Sequence, residues 1–206
     1  ARWHEMMEKH EKESILWLRA FNRLATLYET AVVKPLMAAG LTWPGIMIWD
    51  DLRSLDYLCG RKDLDAGRIG TLGFSFGGLR SAFLGALDDR IKANVTAGWM
   101  CTSSSMLANY IRKHSWASFI PGMHNYLDFP DAASMNCPHP YLVINYKSDS
   151  KSLFPLQGME DAAGKIEKVY EKAKAEDKFD SVFYNDMMQD RDKAAARAVK
   201  FFKEWL

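Results

Sequence analysis

The sequence is short of the residues that build disulfide frameworks, metal sites and charged tails. Its 206 residues hold three cysteines, and Cys59, Cys101 and Cys137 lie far apart with no Cys-x-x-Cys pair. This spacing argues against a zinc site and against a disulfide framework. Lysine and arginine number 27 against 26 aspartates and glutamates, a formal net charge of +1. Because the two signs are interleaved along the chain, we expect no nucleic-acid partner.

Long apolar runs are also absent. The most apolar window, residues 31–49, is broken by lysine, proline and glycine, so we expect no membrane-spanning helix. Apolar residues nevertheless make up 48% of the chain and charged residues 26%, which is typical of a globular domain. We predict one domain over residues 1–206, in which residues 101–137 form an irregular excursion of the kind that often serves as a cap or lid.

Helix and strand patterns alternate along most of the chain. Apolar residues at spacings of three and four indicate helices, and short apolar runs bounded by turn residues indicate buried strands. Lys34-Pro35 is expected to end the first helix, because the residue before a proline disfavours helical backbone angles. We predict helices over residues 5–33, 50–60, 76–89, 156–175 and 191–206, and strands over residues 68–74, 91–97, 140–146 and 181–184. This alternation predicts the α/β class, with a parallel sheet covered on both faces.

One motif carries chemistry. Gly73-Phe74-Ser75-Phe76-Gly77 matches G-x-S-x-G, with a predicted strand before it and a predicted helix after it. A sharp strand-to-helix turn lifts the serine hydroxyl clear of the sheet. The positions two before and two after the serine are expected to need small residues, because a larger side chain there would collide with the turn. The Phe76 N–H, at the start of the helix, is placed to stabilise an oxyanion. The alternative is a chance match or a turn kept for packing.

A serine nucleophile needs a base, and the base needs an acid to orient it. Asp149 follows the third predicted strand at the carboxyl edge of the sheet, where sites in open α/β sheets collect. Ordinary turn chemistry is the alternative explanation for this aspartate. No histidine follows His139, although the expected order is serine, acid, histidine. His114 and His124, in the excursion, are less favoured candidates for the base, and His139 is expected to be a surface or packing residue.

Several segments, in the same order, resemble the α/β-hydrolase superfamily, most closely its acetyl-xylan-esterase-like and dienelactone-hydrolase-like branch. Besides the Ser75 motif, they are Trp43-Pro44-Gly45, Trp49 to Leu58, Arg68-Ile69-Gly70, Ala86 to Ala93, and Ser152 to Leu156. The resemblance covers about residues 30 to 206. It implies a parallel-sheet α/β-hydrolase fold and an esterase-type hydrolase. In that family pattern Ser75 matches the nucleophile, Asp149 the acid and the Phe76 amide one oxyanion donor.

The chain departs from this family pattern at two places. Family members carry several strands upstream of Trp49, where this sequence has one helical stretch. They also carry a Pro-His-type loop before the last helix, where Asp186 here meets Met187 directly. We therefore expect the N-terminal strands and the catalytic histidine to belong to segments that this sequence does not contain.

These observations predict a serine hydrolase that cleaves a carboxylic ester through an acyl-enzyme, with no cofactor and no metal. The expected partner is a small-molecule or carbohydrate ester, with neither nucleic acid nor membrane involved. Two alternatives remain open, a non-catalytic binding protein of the same fold and a peptidase of the same fold. Five apolar residues in and just before the excursion are expected to line an acyl or leaving-group pocket or, equally, to be core; they are Trp99, Met100, Trp116, Phe119 and Met123.

Overall fold

The structure is a computed structural model that describes residues 14–206. Its contacts group the described chain into two units. The first comprises the chain up to Gly45 together with Ser115–Ile120, and the second comprises Ile46–His114 and Pro121–Leu206. The single domain expected over residues 1–206 stays a prediction, and residues 5–13 of the first predicted helix lie outside the described residues.

Helix α1 spans Ile15–Ala38 and continues through Pro35, so the predicted stop at that proline is wrong. The helix ends instead at Ala38, and Gly40 just beyond it adopts a left-handed φ of 77°. The amides of Gly40 and Leu41 donate to carbonyls of the preceding turn at 3.0 and 2.9 Å, the pattern of a glycine C-cap. Within the same unit, the Trp116 indole N–H donates to the Thr30 hydroxyl at 3.0 Å.

Helix α2 spans Trp43–Cys59, and therefore begins well before the predicted start at Asp50. Its first turn is capped by Thr42, whose hydroxyl accepts the Gly45 N–H at 3.1 Å. Pro44 fits that turn because the first amides of a helix need no intrahelical acceptor. The Trp43-Pro44-Gly45 segment is therefore the start of a helix.

Four parallel strands form one sheet in the order β1-β2-β3-β4. They are β1 (Ile69–Phe74), β2 (Ile91–Ala97), β3 (Tyr141–Tyr146) and β4 (Phe179–Tyr184). Strand β1 pairs with β2, and among residues 14–206 no other strand lies against it. The predicted α/β class with a parallel sheet is confirmed.

The remaining helices cover both faces of the sheet. They are α3 (Phe76–Leu87), α4 (Ser103–Tyr110), α5 (Phe129–Ser134), α6 (Leu156–Lys172) and α7 (Arg191–Trp205). Because neighbouring strands are consecutive in sequence, crossovers of one hand place the connecting helices on one face. One core accordingly packs α3, α5 and α6 on the sheet, while α7 packs on the other face.

Within residues 14–206, no single helix is long and apolar enough to cross a membrane. Only α1 and α2, taken together across the break between them, meet the length and composition that a membrane span requires.

Candidate active site

Ser75 lies in a strained turn between β1 and α3. Its φ of 53° and ψ of −121° are unusual for a residue with a side chain, and such a conformation costs about 1–3 kcal/mol. The Ser75 amide donates to the carbonyl of Ala97 on β2 at 2.8 Å, which ties the turn to the neighbouring strand. The residue is exposed, and its hydroxyl makes no capping bond to the helix. The hydroxyl is therefore free to meet a solute.

The two glycines of the motif are not equivalent. A Cβ on Gly73 would lie 1.8 Å from the Gly77 carbonyl oxygen and 2.2 Å from its carbon. These are backbone atoms that no side-chain rotation can move. A Cβ on Gly77 would meet nothing within 4 Å outside its own helix. The predicted steric need therefore holds at Gly73 and is wrong at Gly77.

The start of α3 offers backbone donors beside Ser75. Phe76 is the first residue of α3, and the first amides of a helix have no intrahelical acceptor. The Ser75 carbonyl takes the Gly78 N–H at 2.8 Å, which leaves the Phe76 and Gly77 amides pointing out of the helix end. Together with the helix dipole, these amides favour negative charge next to the serine.

Asp149 lies in the short 3-10 turn Lys147–Lys151 that follows β3. Its backbone carbonyl accepts three amides, those of Ser152, Leu153 and Phe154, at 3.0, 2.8 and 3.1 Å. Its carboxylate receives no hydrogen bond or ion pair from the described residues. Burial, and then the negative charge of Asp186, raise the pKa of the Asp149 carboxyl above its ordinary value. Asp149 is therefore a half-buried acid whose carboxylate has no bonded partner among the described residues.

Ser75 and Asp149 lie at the same edge of the sheet. Each follows the carboxyl end of a strand, β1 for the serine and β3 for the aspartate, with β2 between them. Two strand spacings amount to about 10 Å.

The described histidines are bonded elsewhere. The Nε2 of His114 donates to the Leu153 carbonyl at 2.9 Å, and burial lowers the pKa of this imidazole. The His124 ring packs edge-on against Phe129, with centroids 5.3 Å apart. His139 places its Nε2 3.7 Å from an Asp89 carboxylate oxygen. None of the three bonds to Ser75 or Asp149.

In the turn between β4 and α7, two aspartate carboxylates accept backbone amides of the turn itself. The Asp186 carboxylate accepts the amides of Met188 and Gln189 at 2.9 and 3.0 Å. The Asp190 carboxylate accepts the amides of Asn185 and Asp186 at 3.1 and 3.2 Å. This self-capped turn occupies the position where the family resemblance implies the histidine loop.

Helix α3 is anchored one turn beyond the serine. Arg80 on α3 makes a bidentate ion pair with Asp51 on α2. The pair borders a cavity of about 210 Å³ that also reaches Gly73 and Gly77 on the side of the turn. The planar guanidinium binds both carboxylate oxygens, so this ion pair ties α3 to α2.

Three of the five apolar residues considered for a pocket belong to one core or pack against it. Trp99 is 4% exposed and Met100 is fully buried in the core on the α3 side of the sheet. Met123 is partly buried against the same core. Trp99 and Met100 are therefore core residues, in line with the second of the two expectations. In the described part of the chain, no group of three or more histidine, cysteine or acidic side chains is arranged to hold a metal ion.

Sequence reasoning missed Tyr110, the last residue of α4. Its hydroxyl donates to the carbonyl of Ser150, next to Asp149, at 2.7 Å. The two residues are 40 positions apart, and the sequence between them has no periodicity that would have paired them.

Comparison with known proteins identifies related chains. No family model matches the sequence. The chain is 28% identical over 182 residues to YtaP of Bacillus subtilis (strain 168), which is provisionally named a hydrolase. That alignment covers 86% of this chain and 59% of YtaP, so the chain spans less than two thirds of the relative.

Solved structures show the same fold. A protein of Bacteroides fragilis, provisionally named an acetyl xylan esterase, superposes with a TM-score of 0.65 at 21% identity, over 76% of this chain and 40% of that one. The glucuronoyl esterase catalytic domain of Hypocrea jecorina superposes with a TM-score of 0.56 at 17% identity, over 78% of this chain and 52% of that one. The chain therefore has the α/β-hydrolase fold of these esterase structures.

Proposed function

We propose that the chain hydrolyses a carboxylic ester through an acyl-enzyme, with Ser75 as the nucleophile. The observation that carries the proposal is the strained, exposed position of Ser75 between β1 and α3. Strain at a residue with a side chain persists where the surrounding structure imposes it, and such positions cluster at active sites. The names of the similar proteins, a hydrolase and two esterases, point in the same direction.

The reaction proceeds in two steps. The Ser75 oxygen attacks the ester carbonyl as a base takes its proton, and the Phe76 amide stabilises the oxyanion. The alcohol leaves with that proton, and water then releases the acid from the serine by the same route. Asp149 orients the base and stabilises its positive charge. The substrate is a small-molecule or carbohydrate ester, and the chemistry requires neither a cofactor nor a metal.

In this proposal the base is a histidine that lies against the Asp149 carboxylate, where the described chain has none. In the described chain, the turn Asp186–Asp190 stands in the place that the family resemblance assigns to this histidine. Removing a triad member lowers the rate by several orders of magnitude, yet leaves the contribution of the oxyanion site and of binding. We therefore expect slow acylation of Ser75 by this chain, accelerated when imidazole is supplied in solution.

A fluorophosphonate probe tests the proposal. Mass spectrometry of the labelled chain is expected to find the adduct on Ser75, at a rate that rises with imidazole concentration. The Ser75→Ala variant should not react, whereas Ser54→Ala, which changes an exposed serine on α2, should react as the parent chain does. No adduct at Ser75 with imidazole present would contradict the proposal and favour a binding protein of the same fold. Paired ester and amide substrates then separate an esterase from a peptidase.

A further inference from the structure

The turn that carries Asp149 is held from outside by residues just before Ser115. Tyr110 donates its hydroxyl proton to the Ser150 carbonyl at 2.7 Å. His114 donates from Nε2 to the Leu153 carbonyl at 2.9 Å. Both acceptors follow Asp149 in the chain, one and four residues after it. We call Tyr110 and His114 the acid-loop clamp.

The clamp acts on backbone that the acid itself organises. The Asp149 carbonyl collects the amides of residues 152, 153 and 154, so the segment Lys147–Phe154 forms one compact turn. Its other external tie is the Ser148 amide, which donates to the Asn185 carbonyl after β4 at 2.9 Å. Because no described residue donates to the Asp149 carboxylate, the direction of that side chain depends on how firmly this backbone is held.

Both residues of the clamp are themselves held by packing. Helix α4, which ends at Tyr110, packs so closely on α6 that a Cβ on Gly158 would lie 2.5 Å from the Ser105 Cβ and 2.7 Å from the Cys101 Sγ. The Thr102 amide donates to the Gly158 carbonyl at 3.0 Å. The His114 ring also lies on Phe154, with centroids 5.0 Å apart. These contacts leave Tyr110 and His114 little freedom to follow a moving loop.

We propose that Tyr110 and His114 are positioning residues, which hold the Asp149 carboxylate at the sheet edge facing the base. This inference rests on the proposed function, in which Asp149 orients a histidine. Both residues bond to backbone carbonyls and not to Ser75 or the Asp149 carboxylate, so we assign them a positioning role and not a catalytic one. In this proposal, the first part of the excursion, which carries both residues, holds the turn that carries Asp149.

The test follows the Asp149 carboxyl by carbon-13 NMR as pH is varied, with its signal assigned through Asp149→Asn. The groups that interact with this carboxyl are Asp186 and Tyr146. In Tyr110→Phe and His114→Leu, loosening of the loop admits water, and the pKa of Asp149 is expected to fall by roughly half a unit or more. His114→Gln keeps a donor and is expected to retain the parent pKa.

Tyr126→Phe is the matched control, because Tyr126 is 89% exposed and makes no hydrogen bond through its hydroxyl to the described residues. It should leave the pKa of Asp149 unchanged. An unchanged pKa in both Tyr110→Phe and His114→Leu, with the native amide spectrum retained, would overturn the clamp. Tyr110→Phe removes a single oxygen, so it keeps the test available should His114→Leu fail to fold. Fluorophosphonate labelling of the parent chain reports on the proposed function separately, since absence of an adduct leaves the pKa comparison intact.

Discussion

Replacing Gly73 by alanine tests how the strained turn is built. The new Cβ would lie 1.8 Å from the Gly77 oxygen and 2.7 Å from the Gly78 nitrogen. Because both are backbone atoms, either β1 or the start of α3 has to shift. Overpacking of this kind typically costs 1–3 kcal/mol, and we expect about 3 kcal/mol at a contact between two backbones. With an m-value of about 2 kcal/mol/M, the urea midpoint should fall by roughly 1.5 M.

Gly77→Ala is the matched control within the same motif. Its Cβ meets nothing within 4 Å outside its own helix, and alanine is favoured over glycine in a helix by roughly 0.5–1 kcal/mol. The urea midpoint, measured by tryptophan fluorescence and circular dichroism, should therefore fall in Gly73→Ala and rise in Gly77→Ala. Labelling of Ser75 by a fluorophosphonate should be lost or strongly slowed in Gly73→Ala alone. Equal midpoints for the two variants would refute the steric account of the turn.

Three further changes probe other parts of the molecule. Asp149→Asn should slow the labelling that added imidazole accelerates, and should raise the urea midpoint near pH 7. Because the folded pKa of Asp149 is raised, the stability of the parent chain falls as pH rises from the unfolded to the folded pKa, so the gain should shrink near pH 4. Asn136→Ala, which removes bonds to Asn94, Ala82 and Ala133, should cost about 2–3 kcal/mol in the same unfolding assay; a loss below about 0.5 kcal/mol would contradict the importance of that buried network. Met188→His places an imidazole in the exposed turn before α7 and should accelerate labelling without added imidazole, whereas Val199→His, on an exposed face of α7, should not.

Much of the fold could be predicted from local patterns. The bounds of β2 agree with the prediction, and the other strands differ by one or two residues at their starts, because buried parallel strands are short apolar runs between turn residues. The turn at Ser75 was also predictable, since a strand, the motif and a helix follow one another. Its asymmetry was not, because only the backbone path shows that Gly77 lies over Gly73.

The predicted end of α1 and the predicted start of α2 were wrong, because a capping residue sets each of these bounds. Thr42 starts α2 ahead of Pro44, and Gly40 ends α1 one turn beyond Pro35. The clamp on the acid loop was missed for a different reason, because its bonds join residues 40 and 39 positions apart. Contacts of this kind arise from the packing of α4 on α6, and no local pattern encodes them.

The strand that leads into Ser75 is one of the two edge strands of the described sheet. Strand β1 has the ladder to β2 on one side, carries no charged residue, and leaves Leu72 and Phe74 53% and 47% exposed. An uncharged edge strand of this kind opens at a low free-energy cost and can pair with strands of other chains. Amide hydrogens of β1 should therefore exchange faster than those of β2 and β3, and on warming or at high concentration the nucleophile should be lost to fraying or self-association before the rest of the sheet melts.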